Sequence, residues 1–239
     1  MKKLSLSIAA VLFMSTAFVS AQSLEEVLKN YFEVSGQETM LASKNSQSTG
    51  KMIQMGLEIP FIQYAAAPNK FRIEATFQDM TLIQTYNGEE GWSLNPFAGM
   101  TEPQAMSEDE LKSVKVQADY EGMLWNWKDK GYEVSLEENE EIEGVDCNVI
   151  KAVSKDEDVY TYYIDAENYV VIKMNSKIKM QGQVMESDTF MSNYQEGDGF
   201  VYPGKIETKM NGQVMSTIVI DETVLNVDLG AGKFDKPVK

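Results

Sequence analysis

Residues 68–97 read PNKFRIEATFQDMTLIQTYNGEEGWSLNPF, and this stretch sets the class of fold. Phe71, Ile73, Ala75 and Phe77 alternate with Arg72, Glu74 and Thr76, the period-two pattern of a strand with one buried face. Met80, Leu82 and Gln84 alternate less cleanly before Tyr86. Asn87-Gly88 supplies residues that tolerate positive φ, as two-residue hairpins prefer. Trp92-Ser93-Leu94 opens another strand, and Pro96 stops it. The spacing predicts consecutive antiparallel strands joined by tight turns.

Upstream, Gly50–Met55 and Leu57–Tyr64 read as a strand pair broken at Gly56. Downstream, the pattern predicts strands at Tyr132–Leu136, Cys147–Val153, Val159–Ile164, Tyr169–Met180, Val184–Tyr194, Phe200–Met210 and Val214–Glu222. Turn residues separate them at Glu143-Gly144, Gln181-Gly182, Gly197-Asp198-Gly199 and Asn211-Gly212. Val170, Ile172, Met174, Ile178 and Met180 are expected on one face of the long strand, with Lys173, Lys177 and Lys179 on the other. KMQGQVM at 179–185 and KMNGQVM at 209–215 form a weak repeat, read as two similar hairpin turns.

Two helical segments accompany the strands. Ser23 to Glu26 fits a capping box, followed by Leu24, Val27, Leu28, Tyr31 and Phe32 on one helical face and Gly36 as a stop. Ser107 to Glu110 is a second capping box, with Leu111, Val114 and Ala118 behind it and Met123–Trp127 read as an apolar continuation. A sheet of about eleven strands with one apolar face cannot stay flat. The expected architecture is mainly β: a strongly curved antiparallel sheet forming an incomplete, half-open barrel under a helical lid.

Composition narrows the function. Lys2-Lys3, the apolar run Leu4–Phe18 and Val19-Ser20-Ala21 read as a cleavable signal peptide over 1–21, with no cysteine at the cleavage site for lipid attachment. About 220 residues follow (22–239), enough for one domain with a real core, and the expected compartment is the periplasm. The formal charge of −16 argues against nucleic acid as a partner. No histidine and a single cysteine, Cys147, leave no usual zinc or copper set and no histidine base. The acidic runs 137–141 and 156–158 read as solvated turns, and no nucleotide-binding or nucleophile-elbow motif occurs. Neither a cofactor nor an enzymatic activity is expected.

Of fifteen methionines, two fall in the leader, and many of the others sit on the apolar faces of strands. Each alone is ordinary core packing. Together, with three tryptophans, they suit an adaptable apolar cavity.

The opening stretch is also specific. Ala67-Pro68-Asn69-Lys70-Phe71-Arg72, a strand, then Tyr86 through Phe97 with its Asn-Gly turn and Asn-Pro-Phe end, resembles the LolA family of periplasmic outer-membrane lipoprotein carriers. The resemblance implies a LolA/LppX-like half-barrel whose cavity takes lipoprotein acyl chains, with transient contacts to membrane-bound loading and receiving proteins, as a monomer. Carried over by position, Phe71, Ile73, Trp92, Leu94 and Phe97 would line or border that cavity. Phe77, Met174, Met180, Met191 and Met210 join them as cavity candidates, and Leu24, Leu28, Phe32, Leu111 and Trp125 are the lid candidates. The family often has an arginine before Pro-Asn, where this chain has Ala67; its sole arginine, Arg72, alternates onto the face opposite Phe71. The competing reading is a same-fold binding or sensing module for a protein or glycolipid partner.

Overall fold

The computed structural model describes residues 22–238, so the predicted leader lies outside the described residues. Fourteen strands form one antiparallel sheet that does not close. The N-terminal set is β1 (Asn45–Gln54), β2 (Leu57–Ala66), β3 (Lys70–Phe77), β4 (Met80–Tyr86), β5 (Gly91–Leu94) and β6 (Gln104–Ala105). The C-terminal set is β7 (Glu133–Leu136), β8 (Glu140–Ile142), β9 (Val145–Val153), β10 (Val159–Asp165), β11 (Val171–Met180), β12 (Gln183–Glu196), β13 (Val201–Met210) and β14 (Gln213–Leu225).

The two sets are joined by the first strand pairing with the last. β1 lies antiparallel to β14, Ser46 opposite Leu225 and Met52 opposite Ile218. A bulge falls between Thr49 and Gly50. Gly50 is needed there, because a Cβ would lie 2.1 Å from the Val219 carbonyl oxygen.

Several turns have the expected chemistry. Met55-Gly56, Gln181-Gly182 and Asn211-Gly212 are left-handed at both residues, as tight hairpins require. Asn87-Gly88 departs from expectation. The connection there is a four-residue loop in which the Asn87 side chain accepts from the amides of Glu89 and Glu90, each at 2.9 Å. The two-residue turn of this region is Gln78-Asp79 instead, with both residues at positive φ and Phe77 opposite Met80.

The helices pack on one face of the sheet. α1 (Leu24–Ser35) is capped by Ser23, whose hydroxyl accepts from the Glu26 amide, and is stopped by left-handed Gly36; α2 (Gln37–Ala42) follows. α3 (Glu108–Ala118) has the complete reciprocal capping box of Ser107 and Glu110. Met123–Trp127 does not continue that helix. Left-handed Gly122 and Asn126 break it into turns, and a single short turn, α4 (Trp127–Lys130), ends the insertion. The acidic run 137–141 is likewise more than a turn, since Glu140–Ile142 pairs with β9. Ile172 is displaced by a bulge between Tyr163 and Ile164, so Val171 takes the core position expected of Ile172.

Candidate functional site

Register defines the concave face. Ile59 lies opposite Met52, Met52 opposite Ile218, Ile218 opposite Ile206, and Ile206 opposite Met191. Opposed residues in antiparallel strands share a face, so these five make one apolar row across β2, β1, β14, β13 and β12. All five are only partly buried. Below the row, Phe61 is buried opposite Gly50 and Ala75. One step toward the hairpin tips, Met174, Thr189, Thr208 and Ser216 are opposed in sequence, placing hydroxyls beside the apolar floor.

Two helical layers flank this trough. α1 and the 123–127 segment cover β9 to β11: Val27, Leu28, Met123 and Leu124 bury with Ile150, Tyr160, Ile164 and Val171. Phe32 meets Trp125 edge to face at 4.9 Å between centroids, the geometry favoured by the ring quadrupoles. Burial raises the phenol pKa of Tyr31, Tyr160 and Tyr162, so this wall carries no phenolate at physiological pH. On the other side α3 sets Leu111, Val114 and Ala118 against Phe71, Ile73 and Tyr86. Burying a side chain the size of Phe71 contributes about 1.5–3 kcal/mol to this packing.

Polar contacts fix the α3 segment at both ends. Near its start, Lys112 Nζ lies 2.7 Å from Asp158 Oδ2 and donates to the Lys179 carbonyl at 3.0 Å. Past its end, the Tyr120 amide donates to the Pro68 carbonyl at 3.2 Å, and Lys130 Nζ holds Asp119 at 2.7 Å. Ala67 donates its amide to the Lys44 carbonyl at 3.0 Å. Arg72 pairs with Glu74 at 2.6 Å, in register with Thr85 and away from the concave face.

The sequence-derived candidates divide into three groups. Phe71 is fully buried under α3 and Ile73 packs beside it, while Met174 and Met191 pack under the α1 layer. Phe77, Met180 and Met210 sit at strand ends beside hairpin tips, with exposed Phe97 near Phe77 at 6.5 Å between ring centroids. Trp92 and Leu94 must be corrected. Trp92 opposes Thr85, and Leu94 opposes Ile83, which places them on the convex face. The C-terminal segment covers that face: buried Thr85 donates its hydroxyl to the Phe234 carbonyl at 3.1 Å, and Phe234 is itself buried. Of the lid candidates, Leu24, Leu28 and Phe32 join the α1 cluster, Trp125 meets Phe32, and Leu111 joins the α3 cluster.

The row residues Ile59, Ile206 and Ile218 were absent from the sequence candidates. Alternation marks them as face-forming, but only the β1–β14 pairing assembles them. A cavity of about 100 Å³ adjoins the row, walled by Tyr31, Tyr169, Val171, Met191, Tyr194 and Pro203. A cavity of about 450 Å³ lies outside it, beside the end of α3, with Lys115, Asp119, Glu121 and Lys130 in its wall. Pro68, Val116, Met123 and Tyr132 share its wall, which therefore mixes apolar groups with charges.

No family model and no curated protein matches the chain. Solved structures do. It is similar to a DUF1329 family protein from Desulfovibrio piger at 13% identity and a TM-score of 0.61, covering 87% of this chain and 97% of that one. A LolA superfamily protein from Nitrosomonas europaea matches at 14% identity and a TM-score of 0.61, covering 90% and 99%. A domain described as an outer membrane lipoprotein-sorting protein from Vibrio parahaemolyticus matches at 12% identity and a TM-score of 0.58, covering 87% and 97%. At such identities the likeness is one of fold. The chain has the LolA-type fold, a mainly β, curved antiparallel sheet left open and backed by few helices.

Proposed function

We propose that this protein is a periplasmic carrier that holds the acyl chains of a lipoprotein or related lipid and moves them toward the outer membrane. The observation that carries the reading is the row Ile59–Met52–Ile218–Ile206–Met191, apolar and only partly buried between two helical layers. An acyl chain laid along it is removed from water at about 0.8 kcal/mol per CH₂. The neighbouring hydroxyls of Thr189, Thr208 and Ser216 offer hydrogen bonds to the ester end of such a ligand. Two methionines in the row let the floor adapt to chains of different shape. The fold shared with a LolA superfamily protein and a lipoprotein-sorting domain supports the same reading.

The test is ligand capture by the exported, mature chain. Native mass spectrometry should find an acylated ligand, and a fluorescent fatty-acyl probe should bind and be displaced by acylated peptide. Ile206→Gln and Ile218→Gln should weaken the probe about tenfold or more, the loss of roughly two buried methylenes. Absence of any acylated ligand together with no probe binding would overturn the reading. Stoichiometric capture of one protein without lipid would favour the sensing module instead.

A further inference from the structure

The two halves of the KMQGQVM and KMNGQVM repeat lie side by side in the sheet. Strand order β2-β1-β14-β13-β12-β11 makes three neighbouring hairpins, with tips at Met55-Gly56, Asn211-Gly212 and Gln181-Gly182. Strict antiparallel alternation puts all three tips at the same end of the sheet. With strands about 4.8 Å apart, these six strands span roughly 25 Å.

The three tips are apolar and free of charge, while the turns that flank them at the same end, Gln78-Asp79 and Ser154–Asp158, are polar or charged. Met55, Leu57, Val184, Met185, Val214 and Met215 are between 40% and 96% exposed. Residues 52–57, 180–185 and 210–219 contain no Asp, Glu, Lys or Arg, in a chain that is 24% charged and carries −16 overall. A lysine stands immediately before each apolar tip, Lys51, Lys179 and Lys209, and each pairs with a glutamate: Lys51 with Glu58 and Lys209 with Glu207 behind their tips, Lys179 with Glu157 in the neighbouring β9–β10 turn. Apolar side chains lead, uncharged turns carry them, and charge begins only one step back.

We infer that the three-hairpin edge is a membrane-contact surface that seats on the interfacial region of a lipid bilayer. Separate protruding tips offer no continuous groove for a folded partner, whereas a bilayer asks only for apolar side chains ahead of a polar collar. Lysine stems suit the headgroup level, where they extend along apolar surface and keep the ammonium wet. The negative net charge selects zwitterionic over anionic surfaces. Met180 and Met210 sit at the strand ends behind these tips. The contact stands on the edge itself and does not require the trough to hold acyl chains.

Flotation of the mature protein with phosphatidylcholine vesicles tests it. The protein should float with the vesicles equally at low and high salt, and less with vesicles containing phosphatidylglycerol. The variant M55S/L57S/V184S/M185S/V214S/M215S should float about tenfold less, and so should the milder Val184→Asp/Val214→Asp pair. Met55→Trp adds a reporter at the most exposed tip, whose emission should be quenched by brominated lipids. Failure of the parent to float, flotation unchanged in both variants, or an unquenched tryptophan on floated protein would overturn the inference. So would a tip-dependent loss of self-association or protein capture without vesicle binding. Fluorescent acyl-probe binding in solution should be unchanged in the tip variants, so failure of the carrier reading, no probe binding by the parent, is separately visible.

Discussion

The Lys112 ammonium reaches 2.7 Å from the carboxylate of Asp158, which is buried in the loop between β9 and β10. Lys112 belongs to the helix that packs on β3 and β4, and Asp158 belongs to the far half of the sheet. Asp158 also accepts from the Lys179 amide at 2.9 Å, and its own amide donates to Ser154 Oγ at 3.1 Å. The pair therefore ties α3, packed on β3 and β4, to the C-terminal half of the sheet.

Lys112→Met should loosen that tie. Removing one member of a buried pair costs roughly 3–5 kcal/mol when both charges are dry. The Lys112 side chain is 26% exposed, so water compensates part of it, and a loss of about 1–3 kcal/mol is expected. Chemical denaturation measures it. Adding Asp158→Asn should recover part of the loss, because the orphaned carboxylate goes too. Acyl-probe dissociation should be faster in Lys112→Met than in the parent. Equal dissociation rates with normal stability would mean the pair does not hold the lid.

The sheet was legible wherever its signal is local. Alternation at 71–77, the glycine turns at 56, 182 and 212, and the positions of both helix starts are as the residues predict, although the capping box expected of Ser23 and Glu26 forms in full only at Ser107 and Glu110. Two things were not legible. The trough floor depends on Met52 meeting Ile218, partners far apart in the chain whose pairing leaves no local mark. The side taken by Trp92 was also hidden, because alternation shows that a face is covered without saying by what. β3 to β5 are covered on both sides, by α3 on one and by the segment around Phe234 on the other. The resemblance identified the fold but carried Trp92 and Leu94 to the wrong side.

Face assignment separates two substitutions that look equivalent in sequence. Trp92→Phe removes volume on the convex face and should leave acyl-probe affinity within about twofold, while lowering the unfolding midpoint. Ile59→Gln acts on the floor and should weaken the probe about tenfold with a smaller stability loss. A parallel titration of both variants checks this. An affinity loss in Trp92→Phe equal to that of Ile59→Gln would return Trp92 to the cavity.

Gly50→Ala should be costly for a reason unrelated to ligand. The added Cβ would meet the Val219 carbonyl oxygen at 2.1 Å, a backbone atom in a paired strand that cannot swing aside. Overpacking of this kind costs about 1–3 kcal/mol, and more where backbone must shift. Since β1–β14 joins the two halves of the sheet, the expected result is a lower midpoint with raised hydrogen exchange on both strands. Exchange confined to the Gly50 neighbourhood would show that the junction tolerates the bulge opening.

Acid sensitivity should be traceable to Glu207 on β13. Hydrogen bonds from Lys205 and Lys209, each at 3.2 Å, outweigh its modest desolvation and hold its carboxyl below the ordinary glutamate range. A depressed folded-state pKa contributes stability that is present above the unfolded value and is lost as pH falls through the folded one. Glu207→Gln should therefore be less stable than the parent at pH 7, by roughly 0.2–1 kcal/mol for a partly exposed pair. The two should converge once Glu207 is protonated in both states. Urea midpoints at neutral and acid pH measure the gap, and a gap that stays constant would remove Glu207 from the acid response.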